Sequence, residues 1–169
     1  IISTIAFSPL LPTERIPADV QMILWAGGLY GLNSICKASL SQAAGAILGA
    51  AKAVEIPDIK KPMVGMTSFG KTVLQYMVTL KPALEMRGYE VAVFHPTGMG
   101  GQAFEDLAAK GRFVCVMDLA TQEVGNHLFG SVVSAGPNRL TAAAKAGVPQ
   151  IVAPGCYDLV DIPGWQDLD

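Results

Sequence analysis

Chemically useful residues follow the apolar runs in the second part of this sequence, in four short loops. They are Thr67, Ser68, Gly70, Lys71 and Thr72 in the first loop, His95, Thr97, Gly98, Met99, Gly100 and Gly101 in the second, Asp118 and Glu123 in the third, and Cys156 in the fourth. A glycine-rich turn that opens a helix lets backbone N–H groups approach a phosphate, and the helix N-terminus adds partial positive charge. These loops therefore predict binding of a phosphorylated ligand.

The first loop matches the letters of a phosphate-binding P-loop, G-x-x-x-x-G-K-[ST], over residues 65–72. In a true P-loop the first glycine follows a finished strand, but only Met63 and Val64 separate Gly65 from Pro62. The strand must therefore run through Gly65. We predict a shorter turn in which Gly70–Thr72 contacts phosphate; the alternative is a strand-to-helix turn with a solvated lysine.

The second loop carries half of a dinucleotide-binding fingerprint. Gly98 and Gly100 fit G-x-G-x-x-G, but Ala103 stands at the third glycine position. Asp118 lies about twenty residues after Gly98, where the ribose-binding acid of that fingerprint is expected. The alternative is a tight strand-to-helix turn that simply needs glycine.

Three further side chains are candidates for catalysis. His95 has the chemistry of a phosphate donor or an acid–base group, and Glu123 that of a general base or a Mg²⁺ ligand. Cys156 is a candidate nucleophile, with His95 as its base. The alternatives are a strand-end histidine, a carboxylate that favours a helix N-terminus, and an inert buried cysteine. Arg139 is a candidate for holding a phosphate or carboxylate, and no metal-ligand cluster is predicted.

The elements that position these loops alternate between strand and helix. We predict strands at 63–67, 90–94, 113–118 and 150–153, helices at 73–87 and 102–110, and helical stretches from about 123 to 146, with Pro82 kinking or restarting the first helix. Strands separated by helices need crossover connections, which give a parallel sheet covered on both faces. The expected fold is α/β, a Rossmann-like three-layer sandwich with a mainly parallel sheet.

The first part of the chain predicts strands at 1–7 and 20–25 and a helix of about twenty residues that begins after Asn33, a good N-cap. Gly45 and Gly49 lie one turn apart in this helix, which favours close packing on a sheet or a second subunit. We expect three segments: 1–54 as the end of a preceding Rossmann-like subdomain, 55–62 as a linker, and 63–169 as the nucleotide-binding subdomain.

Composition excludes several classes of protein. The chain of 169 residues is 51% hydrophobic and 15% charged, with a net charge of −2, so neither disorder nor nucleic-acid binding is expected. No apolar stretch approaches the roughly 18 residues of a membrane span. Three widely spaced cysteines indicate a reducing compartment, and we expect a cytoplasmic protein. The absence of an initial methionine favours a fragment of a longer protein.

Taken together, the loops resemble the tomato-mosaic-resistance (Tm-1-like) ATP-binding domain family over residues 60–160. The matching motifs are Gly65-Met66-Thr67 with Gly70, Arg87-Gly88-Tyr89-Glu90-Val91, Val93-Phe94-His95, Thr97-Gly98-Met99-Gly100-Gly101, Asp118-Leu119 with Thr121 and Glu123, Leu128-Phe129-Gly130, Ser134-Ala135-Gly136-Pro137 and Pro154-Gly155-Cys156. Lys71 departs from the pattern. The resemblance implies two Rossmann-like subdomains, ATP binding at the glycine loops, and a homodimer; plant members are linked to blocking viral RNA replication by binding a replication protein.

These observations predict a nucleotide-binding module that holds ATP, with Mg²⁺, on Gly70–Thr72 and Thr97–Gly101. One alternative is a metabolic enzyme for a phosphorylated or carboxylated small molecule that uses His95, Glu123 and Cys156. Another is a dimeric interaction module built on the Ala/Gly-rich helix. No direct contact with nucleic acid or membrane is expected.

Overall fold

The computed structural model describes residues 2–3, 24–25, 32–164 and 166–167. These residues fall into two compact units that divide after Asp58. The division lies inside 55–62, the predicted linker, and the predicted subdomain assignment stays a prediction.

The first unit contains two short paired strands and one long helix. Strand β1 (Ile2–Ser3) pairs in parallel with β2 (Leu24–Trp25), while the remaining residues of the two predicted strands lie outside the described ones. Helix α1 (Ser34–Lys52) begins where predicted, because the Asn33 side chain accepts a hydrogen bond from the Cys36 N–H at 3.0 Å. Among the described residues, no atom would lie within 4 Å of a Cβ at Gly45 or Gly49, and close packing of these glycines on a second subunit stays a prediction.

The second unit is built on a four-stranded parallel sheet, which confirms the predicted fold class. Its strands are β3 (Met63–Thr67), β4 (Glu90–Phe94), β5 (Cys115–Ala120) and β6 (Gln150–Gly155), in the order β4–β3–β5–β6. The pairing places Gly65 opposite Ala92 and Val116, in the middle of β3. A Cβ at Gly65 would lie 2.8 Å from the Phe113 ring. Gly65 is therefore a packing glycine inside a strand, and residues 65–72 do not form a P-loop.

Helices cover both faces of this sheet. Helix α2 (Gly70–Glu85) covers one face, and α3 (Met99–Ala109) and α5 (Ala142–Lys145) cover the other, while α4 (Gln122–Leu128) follows β5. The buried core residues under α2 are Met66, Val73, Val91, Leu119 and Ala120, and those under α3 and α5 are Phe104, Ala108, Phe113, Val116 and Ala143. Three layers result, as the alternation of strand and helix predicts.

The structure decides two details of the predicted helices. Helix α2 runs to Glu85 with Pro82 inside its last turns, so of the two outcomes expected at Pro82 it does not show a restart at Lys81. The helical stretches expected from about 123 to 146 are α4 and α5, which a non-helical segment separates. Between them Gly130, Gly136 and Leu140 have φ near +80°, at 76°, 86° and 75°, which a right-handed helix does not tolerate.

None of the described helices is both long and apolar enough to cross a lipid bilayer. Strand β6 is less covered than its neighbours, with Ile151 and Val152 each 52% exposed.

Candidate functional site

The four chemically useful loops lie at one edge of the sheet, because each follows the carboxyl end of a parallel strand. Chain order reverses between β3 and β5, so the loops after these strands diverge to opposite faces. The first and second loops touch: His95 Nδ1 lies 3.2 Å from the Ser68 carbonyl oxygen, and the His95 and Phe69 rings are 5.1 Å apart. The loops therefore form one continuous edge, on which ligands of open α/β sheets bind.

A cleft of about 650 Å³ opens at this edge, between the start of α2 and the loop after β6. It is lined by Phe69, Gly70, Lys71, Thr72, Val73, Tyr76, Leu119, Ala153, Pro154, Gly155, Cys156, Asp158 and Leu159. The first backbone N–H groups of an α-helix have no partners within the helix, and no side chain caps them in α2. Lys71 and Thr72 are exposed in that turn. The cleft thus combines a helix N-terminus, an ammonium group and a hydroxyl.

The wall opposite Lys71 is held close to the start of α2. The Cys156 thiol donates to the Phe69 carbonyl oxygen at 3.1 Å, and a Cβ at Gly70, where φ is +69°, would lie 2.8 Å from that sulfur. Burial, together with the nearby charge of Asp158, raises the pKa of Cys156. The thiol therefore stays protonated at neutral pH, which does not favour its role as a nucleophile.

The third loop supplies a buried charge cluster rather than an open carboxylate. Asp118 is fully buried; its oxygens accept from Arg139 at 2.5 and 2.7 Å and from the Thr67 hydroxyl at 2.8 Å. The Thr67 hydroxyl also accepts the Ala120 N–H at 3.0 Å. Burial lowers the pKa of Arg139. The hydrogen bonds with Asp118 and Glu123, together with the charges of these carboxylates, raise the pKa by more than burial lowers it, so the pKa lies above its ordinary value. This geometry favours a structural role for Asp118 and Thr67 over contact with a ligand.

Glu123 occupies the position at the start of α3 where a phosphate was expected. Its carboxylate accepts the Gly98 N–H at 2.5 Å and the Arg139 Nε–H at 2.8 Å, and a Cβ at Gly101 would lie 1.9 Å from it. Burial raises the pKa of Glu123 more than Arg139 and the Gly98 hydrogen bond lower it. Glu123 nevertheless already accepts from the Gly98 N–H and the Arg139 guanidinium, the two donors that a phosphate at this glycine turn would use.

The remaining glycine of this turn is explained by close packing. A Cβ at Gly100 would lie 1.8 Å from the His95 carbonyl oxygen. Gly98 has φ of +86° and faces the Ser134 backbone. Thr97 and Met99 are half-buried in the same turn. The glycine pattern of residues 98–101 is thus required by the fold, whether or not a ligand binds.

The structure divides the predicted residues into two groups. Gly70, Lys71, Thr72 and Cys156 meet in the cleft, whereas Gly98, Gly101, Asp118 and Glu123 belong to the buried cluster. His95 is exposed between them. Their roles as ligand contacts stay predictions.

Two features of the site go beyond the sequence prediction, which named Arg139 as a holder of a phosphate or carboxylate but did not name its partners. Arg139 joins Asp118, Glu123 and Glu105, from which it is separated by 21, 16 and 34 positions. An aspartate closing an apolar strand was the available signal, since a buried carboxylate needs a cationic partner. Tyr76, in the second turn of α2, lines the cleft and was also missed.

Among the described residues, no group of three or more histidine, cysteine, aspartate or glutamate side chains is placed to hold a metal ion.

Comparison with known proteins places the chain in a family. The model for the "Uncharacterised protein family (UPF0261) C-terminal domain" matches residues 61–169, which include the whole sheet of the second unit and its cleft. The chain belongs to the UPF0261 family. Within this family it is similar to a UPF0261 protein of Brucella suis, with 60% identity over 168 residues. A UPF0261 protein of Clostridium tetani is 43% identical over 145 residues, 85% of this chain and 35% of that protein.

The comparisons also bear out the Tm-1-like resemblance. The ToMV resistance protein Tm-1(GCR237) of Solanum lycopersicum is 32% identical over 169 aligned residues, which cover 95% of this chain and 22% of the tomato protein. The alignment with the Brucella suis protein covers 99% of this chain but 40% of that relative. This UPF0261 chain thus spans less than half the length of these relatives.

Proposed function

We propose that this UPF0261 chain is a nucleotide-binding module that binds ATP in the cleft between α2 and the loop after β6. The observation that carries the proposal is the uncapped start of α2, with Lys71 and Thr72 in its first turn, opening into a cleft of about 650 Å³. Ligand sites commonly have volumes of about 300–1,000 Å³. Free N–H groups, the helix dipole and an ammonium group all favour a phosphate chain.

The sequence predicts two phosphate contacts, Gly70–Thr72 and Thr97–Gly101, and the structure supports them unequally. The first lines the cleft. In the second, the Gly98 N–H already donates to Glu123, and the glycines pack against backbone or carboxylate atoms. The proposal therefore places the phosphates at Gly70–Thr72.

Mg²⁺ fits this site only when it binds together with the phosphates of the nucleotide. Mg²⁺ is commonly bound by one or two carboxylates, phosphate oxygens and water. Asp158, in the lining of the cleft, would supply a carboxylate. When bound, the ion would neutralise phosphate charge beside this loop. Asp118 already accepts hydrogen bonds from Arg139 and Thr67, so we do not propose it as a ligand of Mg²⁺.

We carry two further expectations as part of the proposal. A homodimer would cover apolar side chains on α1 such as Ile35 and Leu48, which are 75% and 61% exposed. The proposed location is the cytoplasm, where the nucleotide is available and the three cysteines stay reduced.

Isothermal titration of Mg·ATP into the chain tests the proposal. Lys71→Met removes the ammonium group of the cleft, and we expect binding to weaken by about ten- to hundredfold, from the loss of roughly 1.5–3 kcal/mol of charge-assisted hydrogen bonding. Lys81→Met is the matched control, because Lys81 lies on the same helix and pairs with Glu85 on the exposed surface. Equal affinities of both variants and the wild type for Mg·ATP would contradict the proposal that the phosphates bind in this cleft.

A further inference from the structure

The cleft has a second end, one helical turn from the proposed phosphate position. Tyr76 follows Thr72 by four residues in α2, and both line the cleft. Residues four apart lie on one face of a helix and are separated by about 6 Å along its axis. The Tyr76 side chain is 55% exposed. The cleft therefore presents an aromatic ring about one turn beyond Thr72, in the second turn of α2.

The surroundings of Tyr76 differ from those of Lys71. Much of the remaining lining is apolar and comes from Val73, Leu119 and Ala153 and, in the loop after β6, from Pro154 and Leu159. Val73 and Leu119 are buried in the core below the cleft. A phosphate gains nothing from such a lining, whereas a flat apolar group does.

We propose, on the basis of the proposed function, that Tyr76 stacks on the base of the bound nucleotide while its phosphates lie at Gly70–Thr72. A nucleoside phosphate carries a planar ring and an anionic chain at opposite ends, and the cleft offers an aromatic ring and a helix N-terminus in the same arrangement. Stacking on an aromatic side chain tolerates every base, because each base has a π-face. Loss of the ring should therefore affect ATP and GTP alike.

The test separates the two ends of the ligand. ATP, GTP and inorganic tripolyphosphate are titrated into the wild type, Tyr76→Ala and Tyr76→Phe, each first checked by far-UV circular dichroism for a native spectrum. Tyr76→Ala should weaken ATP and GTP about tenfold, the usual scale of one base–aromatic stack, and leave tripolyphosphate unchanged. Tyr76→Phe keeps the ring and should bind all three like the wild type.

The outcomes distinguish this inference from the proposed function. If the wild type binds ATP and tripolyphosphate but Tyr76→Ala changes neither affinity, the stacking role is wrong and the phosphate site stands. Equal weakening of tripolyphosphate and ATP would likewise overturn it, because the ring would then only support the helix. A wild type that binds none of the three ligands overturns both proposals.

Discussion

Replacement of Arg139 by methionine should destabilise this chain severely, because two buried carboxylates would lose their cationic partner. Arg139 is 5% exposed and donates to Asp118, Glu123 and Glu105, and its guanidinium carbon lies 5.6 Å from the Phe104 ring centroid. Methionine keeps the apolar stem but removes every hydrogen bond. Breaking a buried ion pair from one side costs about 3–5 kcal/mol, against a total stability of about 5–15 kcal/mol for an ordinary domain.

Urea unfolding followed by far-UV circular dichroism measures this loss. We expect about 3–5 kcal/mol at pH 7 and a smaller loss at pH 5, where a buried unpaired carboxylate can take up a proton. Adding Asp118→Asn and Glu123→Gln to Arg139→Met should recover part of the stability, because the uncompensated charges are then gone. Arg87→Met is the control, since Arg87 is exposed and donates to the Ala83 carbonyl oxygen. A loss below about 1 kcal/mol at pH 7 would refute the reasoning.

Three other predictions concern single residues. The raised pKa of Glu123 means that its contribution to stability is complete below pH 4.5 and is lost as pH rises through the folded-state pKa. In urea unfolding, the wild type should therefore lose stability relative to Glu123→Gln as the pH rises above 4.5; the opposite slope would contradict this. Gly100→Ala should lower the free energy of unfolding by about 1–3 kcal/mol, because the new Cβ would overlap the His95 carbonyl oxygen. Gly45→Ala is the control, since a Cβ there would meet no atom within 4 Å, and it should raise the free energy of unfolding by about 0.4–1 kcal/mol. Iodoacetamide should alkylate Cys156 faster in Asp158→Asn than in the wild type. The thiolate is the reactive form, and besides burial the Asp158 charge raises the pKa of this thiol. An unchanged alkylation rate, measured by mass-spectrometric mapping, would show that this charge does not control the thiol.

The sequence predicts the sheet well because its signals are local. Strands β3 and β4 have their predicted bounds, with Pro62 and Gly88 marking their starts. Strand β5 begins two residues later than predicted, at Cys115, and Phe113 packs in the core under α3 without belonging to the strand. An apolar run shows that a segment is buried, but it does not show which of its residues pair.

The site is less predictable, because its decisive contacts join distant residues. Glycine spacing predicts a turn before α3, but the spacing cannot show that Glu123, 25 positions from Gly98, fills the anion position. Lys71 and Cys156 are far apart in sequence and line one cleft only because β3 and β6 end at the same edge of the sheet. Parallel topology predicts that the ligand binds at the carboxyl ends of the strands. Side-chain packing decides which of the loops at that edge remain open to a ligand.

The position of the nucleotide is the central claim, and backbone amide mapping tests it most directly. Two-dimensional ¹H–¹⁵N spectra of the labelled chain are recorded during titration with Mg·ATP. We predict saturable shifts at Gly70–Thr72 and at residues 155–158, with the Gly98 amide unmoved because it stays bonded to Glu123. Shifts centred on residues 98–101, or no shifts at millimolar ATP, would contradict the account.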